Sequence, residues 1–139
     1  MQRNIDVFFY GLFMDRQALA EQCLHPGTAH IASVTEYQLH IGARATLVPA
    51  FGQTAWGVVM GLPSDEVVRL YGERPIADYR PEAVLATQSD GEIVPALCYN
   101  LPNDKRSGTN KNYAAALHAL AKKIALPDVY VAYLAQLAK

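Results

Sequence analysis

The 139-residue sequence predicts an α+β (mixed α/β) fold, a small closed or nearly closed mixed β-barrel of about six to seven strands with flanking helices. Three observations predict it. A β-branched and aromatic run opens the chain and passes through a glycine into a helix. Short β-forming segments then succeed one another with few helices between them. Two Ala/Leu-rich helices close the chain.

In order, Ile5 to Tyr10 is largely apolar on both faces and predicts a buried strand that ends at Gly11. Asp15 is placed to cap a helix running to Leu24, with Leu19, Cys23 and Ala20 at helical spacing and Pro26-Gly27 as the stop. Thr28 to Val34, Tyr37 to Ile41, Ala45 to Val48 and Thr54 to Leu62 read as separate short strands, punctuated by Gly42, Pro49 and Gly52. Pro63-Ser64-Asp65-Glu66 starts a short helix capped by Ser64 and stopped by Gly72, with Val67, Val68 and Tyr71 as its apolar face. Beyond a loop over 73–78, Tyr79 to Thr87 and Ile93 to Asn100 form two strands around the turn signal Ser89-Asp90-Gly91. Pro81 and Pro95 inside them point to edges, ends or bulges. The polar stretch from Pro102 to Asn112 reads as a flexible loop, and 112–123 and 127–138 as helices.

Composition narrows the function classes. Hydrophobic residues make up 51% of the chain and charged residues 18%, enough apolar material for a core and too little charge for disorder. Twelve Lys/Arg against thirteen Asp/Glu, with no basic block, argue against nucleic-acid binding. Two cysteines, Cys23 and Cys98, make no disulfide framework and fit a reducing compartment; Cys98 lies in an apolar run and reads as a buried structural thiol. No apolar run reaches the roughly twenty residues a bilayer demands, and the first residues lack a signal peptide's apolar segment. The expectation is one cytoplasmic domain over residues 1–139, without membrane or nucleic-acid partners.

Most chemistry-bearing patterns are missing. His25, His30, His40 and His118 fall in different elements and form no ligand pair, so no metal is expected. No serine sits in a Gly-x-Ser-x-Gly elbow, no cysteine has a basic neighbour that would activate it, and no phosphate loop is present; no cofactor is expected. Two features remain. The loop Tyr10-Gly11-Leu12-Phe13-Met14-Asp15 can aim backbone N–H groups at an anion, or can be an ordinary strand-to-helix connection. Glu73, near the apolar Tyr71, Pro75 and Ile76, can be a partly desolvated general base or a solvated surface charge.

Together these residues resemble the γ-glutamylcyclotransferase-like family, including its γ-glutamylamine cyclotransferase and plant avirulence-induced branches. Val7 to Asp15 is similar to that family's opening strand and Tyr-Gly loop, and Ala43 to Pro49 to its next signature. Ala55 to Leu62 matches a strand that usually reads Val-x-Gly-x-x-Tyr-x-Leu. Glu73 followed by Tyr79-Arg80 resembles its Glu–loop–Tyr–Arg spacing, Ala96 to Tyr99 its Ala-x-x-Tyr strand, and a helical tail with Leu126-Pro127 and Tyr130 is in register.

The resemblance implies a γ-glutamylcyclotransferase-like barrel with a cavity at the end of the first strand. It also implies a reaction without metal or cofactor, in which the α-amino group of a γ-glutamyl or related acyl-amide attacks its own γ-carbonyl. The products are 5-oxoproline and an amine or amino acid. By similarity Glu73 is the proton shuttle, the backbone of Tyr10, Gly11, Leu12 and Phe13 cradles a carboxylate or oxyanion, and Tyr79 and Tyr99 shape the pocket. Arg44 is placed to pair with a carboxylate. The sequence departs from the family pattern in four places: Leu12 replaces a hydroxyl residue, Phe13 a Leu or Asn, and Arg74 the Gly after the glutamate, while the approach from Leu70-Tyr71 to Glu73 is one residue shorter. A non-catalytic small-molecule-binding or regulatory module on the same barrel is the alternative. A third reading is a homodimer through the C-terminal helices, where Val129, Tyr130, Tyr133, Leu134 and Leu137 recur at helical spacing.

Overall fold

The computed structural model describes residues 3–72 and 78–139. Strand β1 (Asn4–Phe9) leads through a turn of 3-10 helix (Leu12–Met14) into α1 (Arg16–Glu21). The long strands β2 (His30–Ile41) and β3 (Ala45–Pro63) follow, then α2 (Ser64–Gly72), β4 (Arg80–Gln88), β5 (Ile93–Asn100), α3 (Lys111–Lys123) and α4 (Asp128–Leu137). The strands close a barrel in the order β1-β3-β2-β4-β5. Neighbours are antiparallel except β1 and β5, which meet in parallel at Val7 and Leu97, so the barrel is mixed as expected.

Among the described residues the seven predicted strand segments become five strands because Pro49 and Gly52 do not break the β2–β3 hairpin. Thr35 pairs with Thr54 and Tyr37 with Pro49, so residues 50–53 bulge out opposite Glu36. Glu36 and Gly52 both take positive φ there, 67° and 76°, and the Glu36 carboxylate accepts the Gly52 N–H at 3.0 Å. The ladder resumes on either side, and Phe51 at the tip is 96% exposed.

Apolar patterning explains what lies inside. Val7, Phe8 and Phe9 of β1 are all buried, as a strand covered on both faces requires. Asp15 caps α1, its carboxylate accepting the Gln17 N–H at 3.0 Å. That helix is shorter than its spacing predicts: Cys23 turns out at φ 63° and is exposed, while Leu19 and Leu24 anchor the segment. α2 starts at Ser64 as expected, but its inner face carries Glu66, Val67 and Leu70, and Val68 is 73% exposed.

One correction concerns the C-terminal part. The stretch expected to be a flexible loop is docked on the β2–β3 turn. Ser107 O accepts the Ala43 N–H at 2.9 Å, Asn110 Nδ2 donates to Ala43 O at 3.3 Å, and His40 Nε2 lies 2.9 Å from Arg106 O. Asn110 then caps α3 by accepting the Tyr113 N–H at 2.9 Å. α4 buries Tyr130 and Leu134 and fixes itself to β2 through Tyr133, whose hydroxyl donates to Leu39 O at 2.9 Å; Val129 stays 85% exposed. No helix among the described residues is long and apolar enough to cross a membrane.

Candidate active site

The candidate site forms where β1 runs out. Tyr10 is buried, and its hydroxyl donates to Tyr99 O on β5 at 2.6 Å, stitching the parallel seam of the barrel. Gly11 follows in extended backbone, and the 3-10 turn then closes with Met14 N–H donating to Gly11 O at 3.0 Å. The Leu12 N–H donates to the Tyr113 hydroxyl of α3 at 3.2 Å. A Cβ at position 11 would lie 2.3 Å from that hydroxyl oxygen. Glycine is needed here because a neighbouring side chain comes so close, not because of its φ.

These elements enclose a cavity of about 360 Å³. One side is a chain of rings. Phe13 meets Phe9 and Tyr71 edge-on, at centroid distances of 6.4 Å and interplanar angles of 87° and 86°, and Tyr71 lies flat on Tyr99 at 3.8 Å and 6°. The other side comes from the β2–β3 turn, where Arg44 Nη1 donates to Asp78 Oδ2 at 2.9 Å and the Tyr79 hydroxyl donates to Ala45 O. Asn110 and Tyr113 at the start of α3 complete the lining.

Among the described residues the lining is mostly uncharged, with Arg44 its one charged side chain. Burial raises the hydroxyls of Tyr10 and Tyr71 well above their ordinary value of 10.0, and it also raises those of Tyr79, Tyr99 and Tyr113. All five are therefore protonated at neutral pH. The hydrogen bond from Arg44 holds the Asp78 carboxyl below its ordinary value. Behind the lining, Cys98 is fully buried, and burial pushes its thiol up to about 12, so it is no nucleophile near neutrality.

Seven residues singled out in the sequence, Tyr10, Gly11, Leu12, Phe13, Arg44, Tyr79 and Tyr99, line this one cavity. Glu73 lies outside the described residues, as do Arg74 and the rest of 73–77. Tyr71 and Tyr79, on either side of that segment in sequence, both face the cavity. Sequence reasoning missed Tyr71, Asn110 and Tyr113 as cavity residues. Tyr71 read as the apolar face of a short helix, and the other two fell at the edge of a stretch read as flexible. Among the described residues no three His, Cys, Asp or Glu side chains gather to hold a metal.

A family profile described as gamma-glutamyl cyclotransferase, AIG2-like, matches residues 7–118, which spans β1, the loop after it and the start of α3. The chain belongs to this family. Solved structures agree at the level of the fold. An uncharacterised human protein superposes with a TM-score of 0.80 at 18% identity, over 94% of this chain and 86% of its own. A protein described as gamma-glutamyl cyclotransferase gives 0.79 at 18% identity, over 95% and 86%. A yeast gamma-glutamyl cyclotransferase described as specific to glutathione gives 0.55 at 16% identity, over 98% of each chain. No curated protein matches by sequence. Membership of the gamma-glutamyl cyclotransferase family supports a cyclotransferase-type function.

Proposed function

We propose that the protein is a cofactor-independent cyclotransferase acting on γ-glutamyl amides or a related acyl-amide. The observation that carries this reading is the cavity at the end of β1, framed by the Tyr10–Phe13 loop, in a chain of this family. The substrate's α-amino nitrogen attacks its own γ-carbonyl carbon, closing a five-membered lactam. The bond from that carbon to the amide nitrogen breaks, and one proton passes from the attacking nitrogen to the leaving one. 5-Oxoproline and an amine result; no water, metal or redox partner is consumed.

Such a reaction asks little of the protein, because nucleophile and electrophile arrive in one molecule. Glu73 is assigned the proton transfer, accepting one proton from the attacking α-amino nitrogen and returning it to the leaving nitrogen. The loop backbone and the Arg44 guanidinium are assigned the substrate carboxylate and the developing oxyanion. Tyr79 and Tyr99 shape the wall, and their protonated state keeps a negative charge from competing with the substrate's. The reading includes one domain over 1–139 working in the cytoplasm on a small molecule. The neutral lining also suits a ligand-binding module without turnover, which is the second reading.

Incubation with a panel of γ-glutamyl amines and dipeptides, scoring 5-oxoproline release, separates the two. Release is expected from wild type and a drop of about a hundredfold or more in Glu73→Gln. Undiminished release by the variant removes Glu73 from the mechanism. Saturable binding without release across the panel favours the binding module.

A further inference from the structure

We propose that Thr46 and Asn100 are positioning residues, a reciprocal clamp that fixes the spacing between the Arg44–Ala45 side of the cavity and its Tyr99 side. That spacing sets how firmly a ligand is held. The inference takes the ligand's chemistry from the cyclotransferase reading above, on which it rests. Both residues are buried, 0% and 2% exposed. The Leu101 N–H donates to the Thr46 hydroxyl oxygen at 2.8 Å, and the Leu47 N–H donates to Asn100 Oδ1 at 3.2 Å. Each side chain thus holds the backbone just beyond the other. The cross-link joins β3 to the end of β5, strands that are not neighbours in the barrel. β1 stands between them and ends at Phe9, so past that point side chains take up N–H groups that no ladder serves.

The carbonyls beside the clamp serve the cavity. Ala45, one residue before Thr46, accepts the Tyr79 hydroxyl, and Tyr99, one residue before Asn100, accepts the Tyr10 hydroxyl. Arg44, Ala45, Tyr10, Tyr79 and Tyr99 all line the cavity. Slack in the clamp therefore moves Arg44 relative to the Tyr10–Phe13 loop, the two groups assigned to the anionic parts of the substrate. The state of Asn100 points the same way. The Leu47 N–H and the Cys98 thiol, 3.7 Å away, both donate to Oδ1, which fixes the orientation of the amide and leaves Nδ2 buried without a partner. Asn100 costs the fold one unpaired donor and satisfies one N–H across the gap, so what it adds is a fixed distance rather than net stability.

The test compares Thr46→Val, which keeps the volume and removes the acceptor, with Thr46→Ser, which keeps the acceptor. Glu66→Ala controls for stability lost away from the cavity. With the full chain and the best substrate of the γ-glutamyl panel, Thr46→Val is expected to raise KM fivefold or more with kcat within twofold, the pattern of lost uniform binding. Thr46→Ser and Glu66→Ala should keep KM within twofold of wild type. Asn100→Leu should raise KM as Thr46→Val does, and carries the comparison if that variant does not fold. The double variant should raise it little further, because either half alone opens the clamp. An unchanged KM, a rise shared by Thr46→Ser or Glu66→Ala, or a loss of kcat alone overturns the inference and leaves the cyclotransferase reading standing. If no panel compound yields 5-oxoproline, that reading fails instead, and amide hydrogen exchange decides the inference without a ligand. The Leu12 N–H should then exchange at least tenfold faster in Thr46→Val than in wild type, Thr46→Ser and Glu66→Ala. Equal rates overturn it.

Discussion

At the cavity, five tyrosines, Tyr10, Tyr71, Tyr79, Tyr99 and Tyr113, hold their hydroxyls neutral in a partly closed space. On the α1–α2 side of the barrel the chain buries a carboxylate instead. Glu66 accepts the His25 N–H at 2.6 Å and lies 2.8 Å from His25 Nδ1, with 9% of its side chain exposed against 78% for the histidine. Burial pushes that carboxyl up, but the two hydrogen bonds from His25 and its charge outweigh it and leave the group below its ordinary 4.5. Around it the α1–β2 connection is tied down further, with Arg16 donating to Gly27 O and Pro26 O, each at 2.9 Å, and Arg69 to Cys23 O at 3.2 Å. The clasp satisfies its own polar groups internally. Among the described residues the cavity sets protonated tyrosines around the Arg44–Asp78 ion pair. A polar cluster that is complete in itself reads as structure; a mostly apolar space that holds the Arg44 guanidinium reads as a site.

The largest effect is expected at Gly57 of β3, where an added Cβ would lie 2.1 Å from Phe9 O. Backbone cannot step aside as a side chain can, so Gly57→Ala should cost about 3 kcal/mol or more in urea unfolding and lose the cavity with the fold. Glu66→Ala should cost about 1–3 kcal/mol at neutral pH while sparing any activity of the remaining folded protein. Because the Glu66 carboxyl is lowered on folding, its contribution is present above about 4.5 and is lost as pH falls through the lower folded value. A urea series from pH 7 to pH 3 should therefore show wild type and Glu66→Ala converging in acid. Parallel curves would mean that the clasp is not ionic.

Gly11→Ala tests the site side of the contrast. Its stability cost should be smaller, about 1 kcal/mol, because the atom in the way is the Tyr113 hydroxyl, while 5-oxoproline release should fall tenfold or more. Adding Tyr113→Phe should recover most of the lost stability, since the nearest ring carbon is 3.7 Å from the new Cβ. No recovery would mean that Gly11 is fixed by something other than that hydroxyl. The smallest effect is expected at the β2–β3 bulge, where Phe51→Ser should change stability by less than about 0.5 kcal/mol because its ring is almost wholly in solvent.

Much of the architecture was legible because it depends on local chemistry. The burial of β1 on both faces over Val7 to Phe9 follows from its apolar run there, and the α1 cap from Asp15. The β4–β5 hairpin turns at the residues that signalled it, with Gly91 at φ 90° and Asp90 accepting the Glu92 N–H at 2.9 Å. Pro81 lies on the part of β4 beyond its short pairing with β2, an edge position of the kind a proline tolerates. Local signals misled where one residue type serves two geometries. Pro49 and Gly52 punctuate a bulge as readily as a strand end, and Val68 fits a helical stripe that α2 turns outward.

The sequence by itself determined the kinds of element, their order, and the loop and arginine that ended up at one cavity. Those properties are set by propensity, periodicity and turn chemistry within a few residues. Only the tertiary structure decided that the barrel has five strands, that Tyr71 stacks on Tyr99, and that Tyr113 presses on Gly11. Tyr10 reaches Tyr99 across 89 positions and Leu12 reaches Tyr113 across 101. No window of local sequence contains both partners of such a contact. The protonated state of the cavity tyrosines follows from burial, which is a property of the closed barrel and of no single residue.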